Sequence, residues 1–264
     1  MVRLANKINL FLTLRGIIME KHVEKIVEWL KQKLADTGAK GFVVGVSGGI
    51  DSAVVANLIK LAAPEQSLGV LLPIYTKPEH MTDGIKVIET CGISSMTIDL
   101  TETHKIMYSH IKNQLDEKNE FNESSDQIAG ANLRARLRMS ALYTVATNYN
   151  YLVVGTDNAA EWYTGYFTKY GDGGVDIHPL VDFTKSEVRE MAKYLNVPDE
   201  VITKAPSADL WEDQTDENEM GTTYDRIDAY LRGESIPEED KQTIERLHKR
   251  SEHKRIGIPQ FKRS

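Results

Sequence analysis

Apolar residues recur along this chain at two different spacings, and the switches between them predict alternating helices and strands. Val23, Ile26, Val27, Leu30 and Leu34 repeat at three- and four-residue intervals and define one face of a helix that stops near Thr37 and Gly38. Residues 41–46 follow as an apolar run, then a small-residue turn, then a second helical pattern at Val54, Val55, Leu58, Ile59 and Leu61. Leu68, Val70, Leu71 and Leu72 fall within 67–73, a nearly unbroken apolar run suited to a strand covered on both faces. A helix over 79–89 turns Met81, Ile85 and Ile88 inward, and 95–98 supplies a third strand. Asp99 at its end reads as a helix cap or as a ligand contact.

The polar stretch 112–127 predicts an exposed connection. A long helix over 128–147 comes next, with Leu133, Leu137, Ala141, Thr144 and Val145 as its apolar stripe, and 151–154 forms a fourth strand. On that helix Arg134 and Arg138 share a face while Arg136 points to another surface. Helices over 186–195, 224–231 and 238–247 complete the pattern. Parallel strands need crossovers, so this succession predicts a doubly wound α/β fold: a mostly parallel sheet with helices on both faces.

A chain of 264 residues fits one such domain, expected over 19–264, with residues 1–18 as an extension whose structure the pattern leaves open. The extension is apolar and basic but too short, and lacks a small-residue cleavage site, so export is not expected. A net charge of -7 argues against a general nucleic-acid binder. The single cysteine, Cys91, cannot close an internal disulfide; a reducing, cytoplasmic setting and an inert packing role follow as expectations.

The candidate chemistry begins between the first strand and the second helix, at Gly45, Val46, Ser47, Gly48, Gly49, Ile50, Asp51 and Ser52. A strand, a Gly-Gly turn and a helix N-terminus make an anion site, with unpaired N–H groups and a positive dipole end facing the loop. Ser47 and Ser52 add hydroxyl donors. Asp51 would repel a bare phosphate, which points to phosphate complexed with a divalent cation. No lysine follows the glycines as in a P-loop, and no third glycine stands at dinucleotide-fold spacing.

A second polar concentration, 155–161, starts where the fourth strand ends and therefore faces the same sheet edge. It contains Thr156, Asn158 and Glu161, and Glu161 is placed to share a cation with Asp51. The glycine-rich run 171–174 is flanked by Lys169 and Asp176, a cation and an acceptor on one wall. Residues 205–223, with Ser207 near their start, read as a mobile lid, and the chain closes on a basic tail containing His253, Lys254 and Arg255.

The motifs Ser47-Gly48-Gly49-Ile50-Asp51-Ser52, Gly155-Thr156-Asp157, Phe167-Thr168-Lys169-Tyr170-Gly171-Asp172-Gly173-Gly174 and Glu252-His253-Lys254-Arg255 together resemble the ammonia-dependent NAD synthetases of the ATP pyrophosphatase superfamily. The resemblance implies an ATP-dependent amidation of deamido-NAD by ammonia through an acyl adenylate, with AMP and pyrophosphate released. It implies ATP contacts at Gly45, Val46, Ser47, Gly48, Gly49, Ile50, Asp51, Ser52, Thr156, Lys185 and Ser207, with Asp51, Lys185 and Ser207 closest to the chemistry. Deamido-NAD contacts are implied at Arg136, Lys169, Asp176, His253 and Lys254, Mg²⁺ at Asp51 and Glu161, and a homodimer whose acceptor site crosses the two-fold axis. Three positions depart from the family pattern: Asn158 stands where His is frequent, Ser207 where Thr is frequent, and Leu71 where some members carry an ATP-contacting Arg.

Overall fold

The computed structural model describes residues 2–206 and 215–263. Four parallel strands, β1 (Gly41–Gly45), β2 (Ser67–Leu71), β3 (Ser94–Thr97) and β4 (Tyr151–Val153), lie in the order β3-β2-β1-β4. Phe42 pairs with Ser67 on one side of β1 and with Leu152 on the other. The chain therefore moves outward from β1 to β3 and then crosses to the far side of β1 to lay down β4. The loops after β1 and β4 diverge at that reversal, and the crevice between them is where open α/β sheets bind ligands.

Side-chain alternation along β1 builds a core on each face. Phe42 and Val44 pack with the helices α1 (Val2–Thr37), α2 (Ile50–Ala62) and α7 (Lys185–Tyr194), through Leu30, Val55, Leu58, Ile59 and Met191. Val43 faces the other way, with Val70 and Val153, against α5 (Asp126–Tyr149), which contributes Leu137, Ala141 and Ala146. Both faces of the sheet are covered, as doubly wound packing requires. A smaller cluster of Ala160, Met220, Tyr224, Ile227 and Ile244 joins α6 (Ala159–Thr164), α9 (Asp216–Met220), α10 (Tyr224–Leu231) and α11 (Glu238–Arg250). No described helix is long and apolar enough to cross a membrane.

Several elements depart from the periodic reading. The helix α4 (Thr101–Glu117) occupies the first part of the expected 112–127 connection. Its apolar Ile106, Met107 and Ile111 are exposed and His104 is its buried residue, so a search for an inward apolar face passes over it. Thr144 is exposed and its hydroxyl donates to the Ser140 carbonyl, so it leaves the expected α5 stripe. Asp99 caps the start of α4 by accepting from the Thr101 N–H at 2.8 Å. The helix α3 (Pro78–Cys91) buries Val87 and Ile88 but leaves Ile85, expected on its inward face, exposed. A short α8 (Asp199–Thr203) follows α7.

Residues 215–223 also differ from the expected unanchored run. Asp216, Met220 and Thr222 are buried, and Thr215 caps α9 by accepting from the Asn218 N–H. Ser207 and the rest of the expected lid through 214 lie outside the described residues.

Cys91, half buried at the end of α3, packs against the larger core, and burial pushes its thiol up to about 11. It is therefore protonated at neutral pH and a poor nucleophile. Cys91→Ser is expected to leave turnover at the wild-type level and to cost about 1 kcal/mol of stability. Paired activity assays and thermal melts check this; loss of activity in folded protein would contradict it.

Candidate active site

The loop after β1 is held by its own side chains. The Ser52 hydroxyl donates to the Gly49 carbonyl at 2.9 Å and accepts from the Ser47 N–H at 3.2 Å, while the Ser47 hydroxyl accepts from the Gly49 N–H at 3.2 Å. Gly49 is the extended cap residue from which α2 starts, so the first turn of α2 opens toward the crevice. Gly48 is constrained from behind the loop. At φ +82° it turns against α3, where an added Cβ would meet Asp83 Cβ at 2.9 Å and the Gly84 nitrogen at 3.0 Å. Its missing side chain makes room for a helix, and it does not border the cavity described next.

A cavity of about 560 Å³ opens between the two loops. Gly45, Val46, Ser47, Gly49, Ile50, Asp51, Ser52, Thr156, Glu161, Lys185 and Lys254 all border it, which unites most of the expected site residues. At its floor the Lys185 ammonium donates to Asp51 Oδ2 at 2.5 Å and to Glu161 Oε1 at 3.3 Å. Asp51 comes from the first turn of α2, Glu161 from the first turn of α6 and Lys185 from the first residue of α7, so three helix N-termini converge. The two carboxylates thus meet at one cation.

The Lys185 side chain is 3% exposed. Burial alone would lower its pKa, but Asp51 and Glu161 outweigh burial and hold the ammonium above its ordinary range. Burial pushes Glu161 up; Lys185 pulls it back, Asp51 adds to the rise, and the balance is about 7. Tyr224, fully buried, places its hydroxyl 2.9 Å from both Glu161 Oε1 and Asp216 Oδ2. The Tyr166 hydroxyl continues the network to Asp216 Oδ1 and Glu219 Oε2. Below Lys185, the buried carboxylate of Asp228 accepts from the Lys185 and Ser186 backbone N–H groups at 3.1 and 2.9 Å and so fixes the start of α7.

The remaining expected residues form an outer strip. Lys254 straddles the two regions: it borders the cavity, and its ammonium donates to the Gly165 and Phe167 carbonyls at 2.7 and 2.5 Å. Arg136 Nε donates to the Lys169 carbonyl at 3.4 Å, and the Lys169 ammonium donates to the His253 carbonyl, so these three residues meet outside the cavity. Asp176 stands apart, accepting from the Val153 N–H at 2.8 Å and the Tyr143 hydroxyl at 3.0 Å. Leu71 is an apolar wall of the cavity, and Arg138, whose Nε donates to the Leu72 carbonyl at 3.0 Å, is a cationic side chain on the same wall.

Tyr224, Tyr166, Asp216, Asp228 and Arg138 were not among the expected site residues. Nothing in local spacing marks the first four, because Tyr166 comes from the loop after α6, Asp216 from α9, and Tyr224 and Asp228 from α10, all distant in sequence from the Ser47 to Ser52 loop. The Asn158 to Glu161 spacing did carry a signal: it is a capping box, with the Glu161 N–H donating to Asn158 Oδ1 and the Asn158 N–H donating to Glu161 Oε2.

A parallel sheet of this order with the Ser47 to Ser52 loop at its reversal defines the ATP pyrophosphatase class of α/β proteins. Comparison with known proteins narrows the class. The NAD synthase family profile matches residues 22–257. An NH(3)-dependent NAD(+) synthetase from Alkaliphilus oremlandii (strain OhILAs) is 57% identical over 241 residues, 91% of this chain and 96% of that protein. Among solved structures, an NMN synthetase from Francisella tularensis is 42% identical with a TM-score of 0.82, over 92% of this chain and 99% of that one. An NAD+ synthetase from Burkholderia pseudomallei is 29% identical with a TM-score of 0.75, over 90% of each chain. The chain belongs to the NAD synthase family.

Proposed function

We propose that the protein is a carbon–nitrogen ligase that converts deamido-NAD to NAD, using ATP and ammonia and releasing AMP and pyrophosphate. The observation that carries this reading is the convergence of Asp51, Glu161 and Lys185 beneath the Ser47 to Ser52 loop. A nicotinate carboxylate will not exchange oxygen for ammonia directly, because its leaving group would be oxide. Its oxygen instead attacks the α-phosphorus of ATP, the bond to the β-phosphate oxygen breaks, and pyrophosphate leaves. Ammonia then attacks the acyl carbon, the carbon–oxygen bond to AMP breaks, and one proton is lost to solvent.

The ATP contacts are assigned to Gly45, Val46, Ser47, Gly49, Ile50, Asp51, Ser52, Thr156, Lys185 and Ser207, with Gly48 shaping the loop from behind. In this assignment the loop N–H groups and the Lys185 ammonium receive the charge that builds on the departing pyrophosphate. Asp51 and Glu161 are hard oxygen donors already gathered about one cation, the number of carboxylates Mg²⁺ takes when phosphates and water complete its shell. Bound there, Mg²⁺ would supply neutralisation of phosphate charge. Arg136, Lys169, Asp176, His253 and Lys254 are assigned to deamido-NAD, with Lys254 holding the 165–167 backbone at the boundary between the two regions. The exposed position of Arg136, away from the cavity, suits an acceptor site completed by a second copy in a homodimer.

The decisive assay supplies purified protein with ATP, Mg²⁺ and deamido-NAD, and compares ammonium, glutamine and no nitrogen donor. AMP and pyrophosphate with ammonium are expected; ADP and phosphate would overturn adenylation. The 42% identical NMN synthetase supports a second acceptor, the mononucleotide that carries the same nicotinate carboxylate. Running both acceptors at equal concentration separates the readings, and preference for the mononucleotide would replace deamido-NAD with it.

The position of Glu161 predicts a pH dependence. Between its ordinary value of 4.5 and about 7, the folded ligand-free protein holds a proton that the unfolded chain has released. The stabilising contribution of this group is therefore present at low pH and is lost as pH rises through about 7. A cation needs the ionised form, so Mg²⁺ affinity is expected to fall about tenfold per pH unit below 7. Mg²⁺ titrations of ATP binding from about pH 5.5 to about pH 8 read the slope, which Glu161→Gln should flatten.

A further inference from the structure

We propose that Asn158 is a positioning residue that holds Asp51 in register with Glu161 at the cation site. The inference rests on reading the crevice as a Mg²⁺–ATP site, and goes beyond that reading by naming what keeps its two carboxylates aligned.

Asn158 lies between β4 and α6 and is 0% exposed. Its Oδ1 accepts from the Ala160 and Glu161 N–H groups at 3.0 and 3.1 Å. Those two donors fix the amide orientation, because the reversed amide would set its NH₂ against two N–H groups. Nδ2 is thereby aimed at Asp51, and it donates to Asp51 Oδ1 at 2.9 Å. The backbone N–H of the same residue donates to Glu161 Oε2 at 3.1 Å. One residue thus touches both carboxylates, although Asp51 lies 107 positions away in sequence.

The bonds divide the carboxylate oxygens into two sets. Asp51 Oδ1 and Glu161 Oε2 face Asn158, whereas Asp51 Oδ2 and Glu161 Oε1 face the Lys185 ammonium. The second set holds the Lys185 ammonium, with Tyr224 also donating to Glu161 Oε1, and a bound Mg²⁺ would share these inner oxygens with them. Two anionic groups this close repel each other, and a donor on the outer oxygen of each keeps the inner oxygens convergent. A neutral amide suits the task, since it neither competes for the cation position as an ammonium would nor adds to the repulsion as a carboxylate would. Hydrogen bonds that orient metal-binding side chains from behind are typically worth about 10- to 100-fold in metal affinity.

Asn158→Ser separates positioning from capping. Serine caps a helix about as well as asparagine and is neutral, but its hydroxyl sits one bond closer to the backbone than the asparagine amide nitrogen and does not reach Asp51 while it caps α6. The probe is Mn²⁺ with ATP in the absence of acceptor, with free Mn²⁺ read by electron paramagnetic resonance. The expected result is a melting temperature close to wild type and Mn²⁺ uptake weakened about tenfold or more, with the half-saturating Mg²⁺ for turnover rising in parallel. Uptake equal to wild type would reduce Asn158 to a helix cap and overturn the proposal. Should the serine variant fail to fold, Asn158→Thr, a capping residue that fills more of the space, carries the same two outcomes. Failure of the wild-type protein to take up Mn²⁺ with ATP would instead overturn the site reading itself, so the two failures are distinguishable.

Discussion

Lys185→Met lowers turnover about a thousandfold, the upper range for removing a preorganised charge donor. The substitution keeps most of the side-chain volume and deletes the ammonium that touches both Asp51 and Glu161. Two losses add together. The departing pyrophosphate forfeits its cationic partner, and two nearly buried carboxylates are left facing each other. Breaking a buried ion pair by removing one partner costs about 3–5 kcal/mol when nothing compensates. Here compensation is available, because Glu161 already has a raised pKa and takes up a proton more readily once Lys185 is gone. The stability loss should therefore be small at low pH and grow as pH rises past neutrality. Urea unfolding of both proteins at acidic and alkaline pH, alongside steady-state rates, checks both statements. Lys185→Arg is not expected to rescue, since the planar guanidinium cannot occupy the point between the carboxylates that the ammonium fills. Near-normal turnover in the methionine variant would remove Lys185 from the chemistry.

Gly165→Ala is expected to destabilise the fold by about 3 kcal/mol and to lower the melting temperature by about 6–12 °C. Gly165 ends α6 in the left-handed region at φ +68°. A Cβ there would fall inside the contact distance of Ser251 Cβ and Oγ. Ser251 has no room to yield: it is buried, and its hydroxyl donates to the Thr164 carbonyl at 3.0 Å while accepting from Arg255 at 2.8 Å. The strain would spread to function by a short path. The Gly165 carbonyl anchors the Lys254 ammonium, and α6 carries Glu161. A melt and a Mg²⁺ titration on the same variant are the test, and a wild-type melting temperature would show that the tail moves aside without cost.

The parts of this molecule that were legible in its sequence are those encoded by neighbours. The apolar runs at 41–46 and 67–73 are continuous because β1 and β2 are buried on both faces, and such runs announce interior strands. The Ser47 to Ser52 loop carries its hydroxyl pattern within six positions. By contrast, α4 offers its apolar residues to solvent, which is why its pattern had no visible inward face. Gly48 was legible as part of the Gly-Gly turn, whereas the constraint that Asp83 and Gly84 of α3 place on it comes from residues 35 or more positions away. Tyr224 and Asp228 reach the floor of the crevice from α10, far along the chain from the residues they touch, and nothing adjacent to either marks them. Lys185 was recognised through family resemblance; its burial between two carboxylates emerged only when the helices were placed.

The separation of Asp51, Glu161 and Lys185 along the chain bears on how the protein acquires its activity during synthesis. Lys185 lies 134 positions beyond the aspartate it contacts. A nascent chain that has completed β1, its loop and α2 carries the phosphate-facing backbone but neither Glu161 nor Lys185, and β4 must dock beside β1 before the second carboxylate arrives. The three-residue centre is thus complete only once α7 has packed on the sheet face that also holds α1 and α2. Partly made or cleaved chains that end before α7 contain the loop but lack the ammonium that joins Asp51 to Glu161.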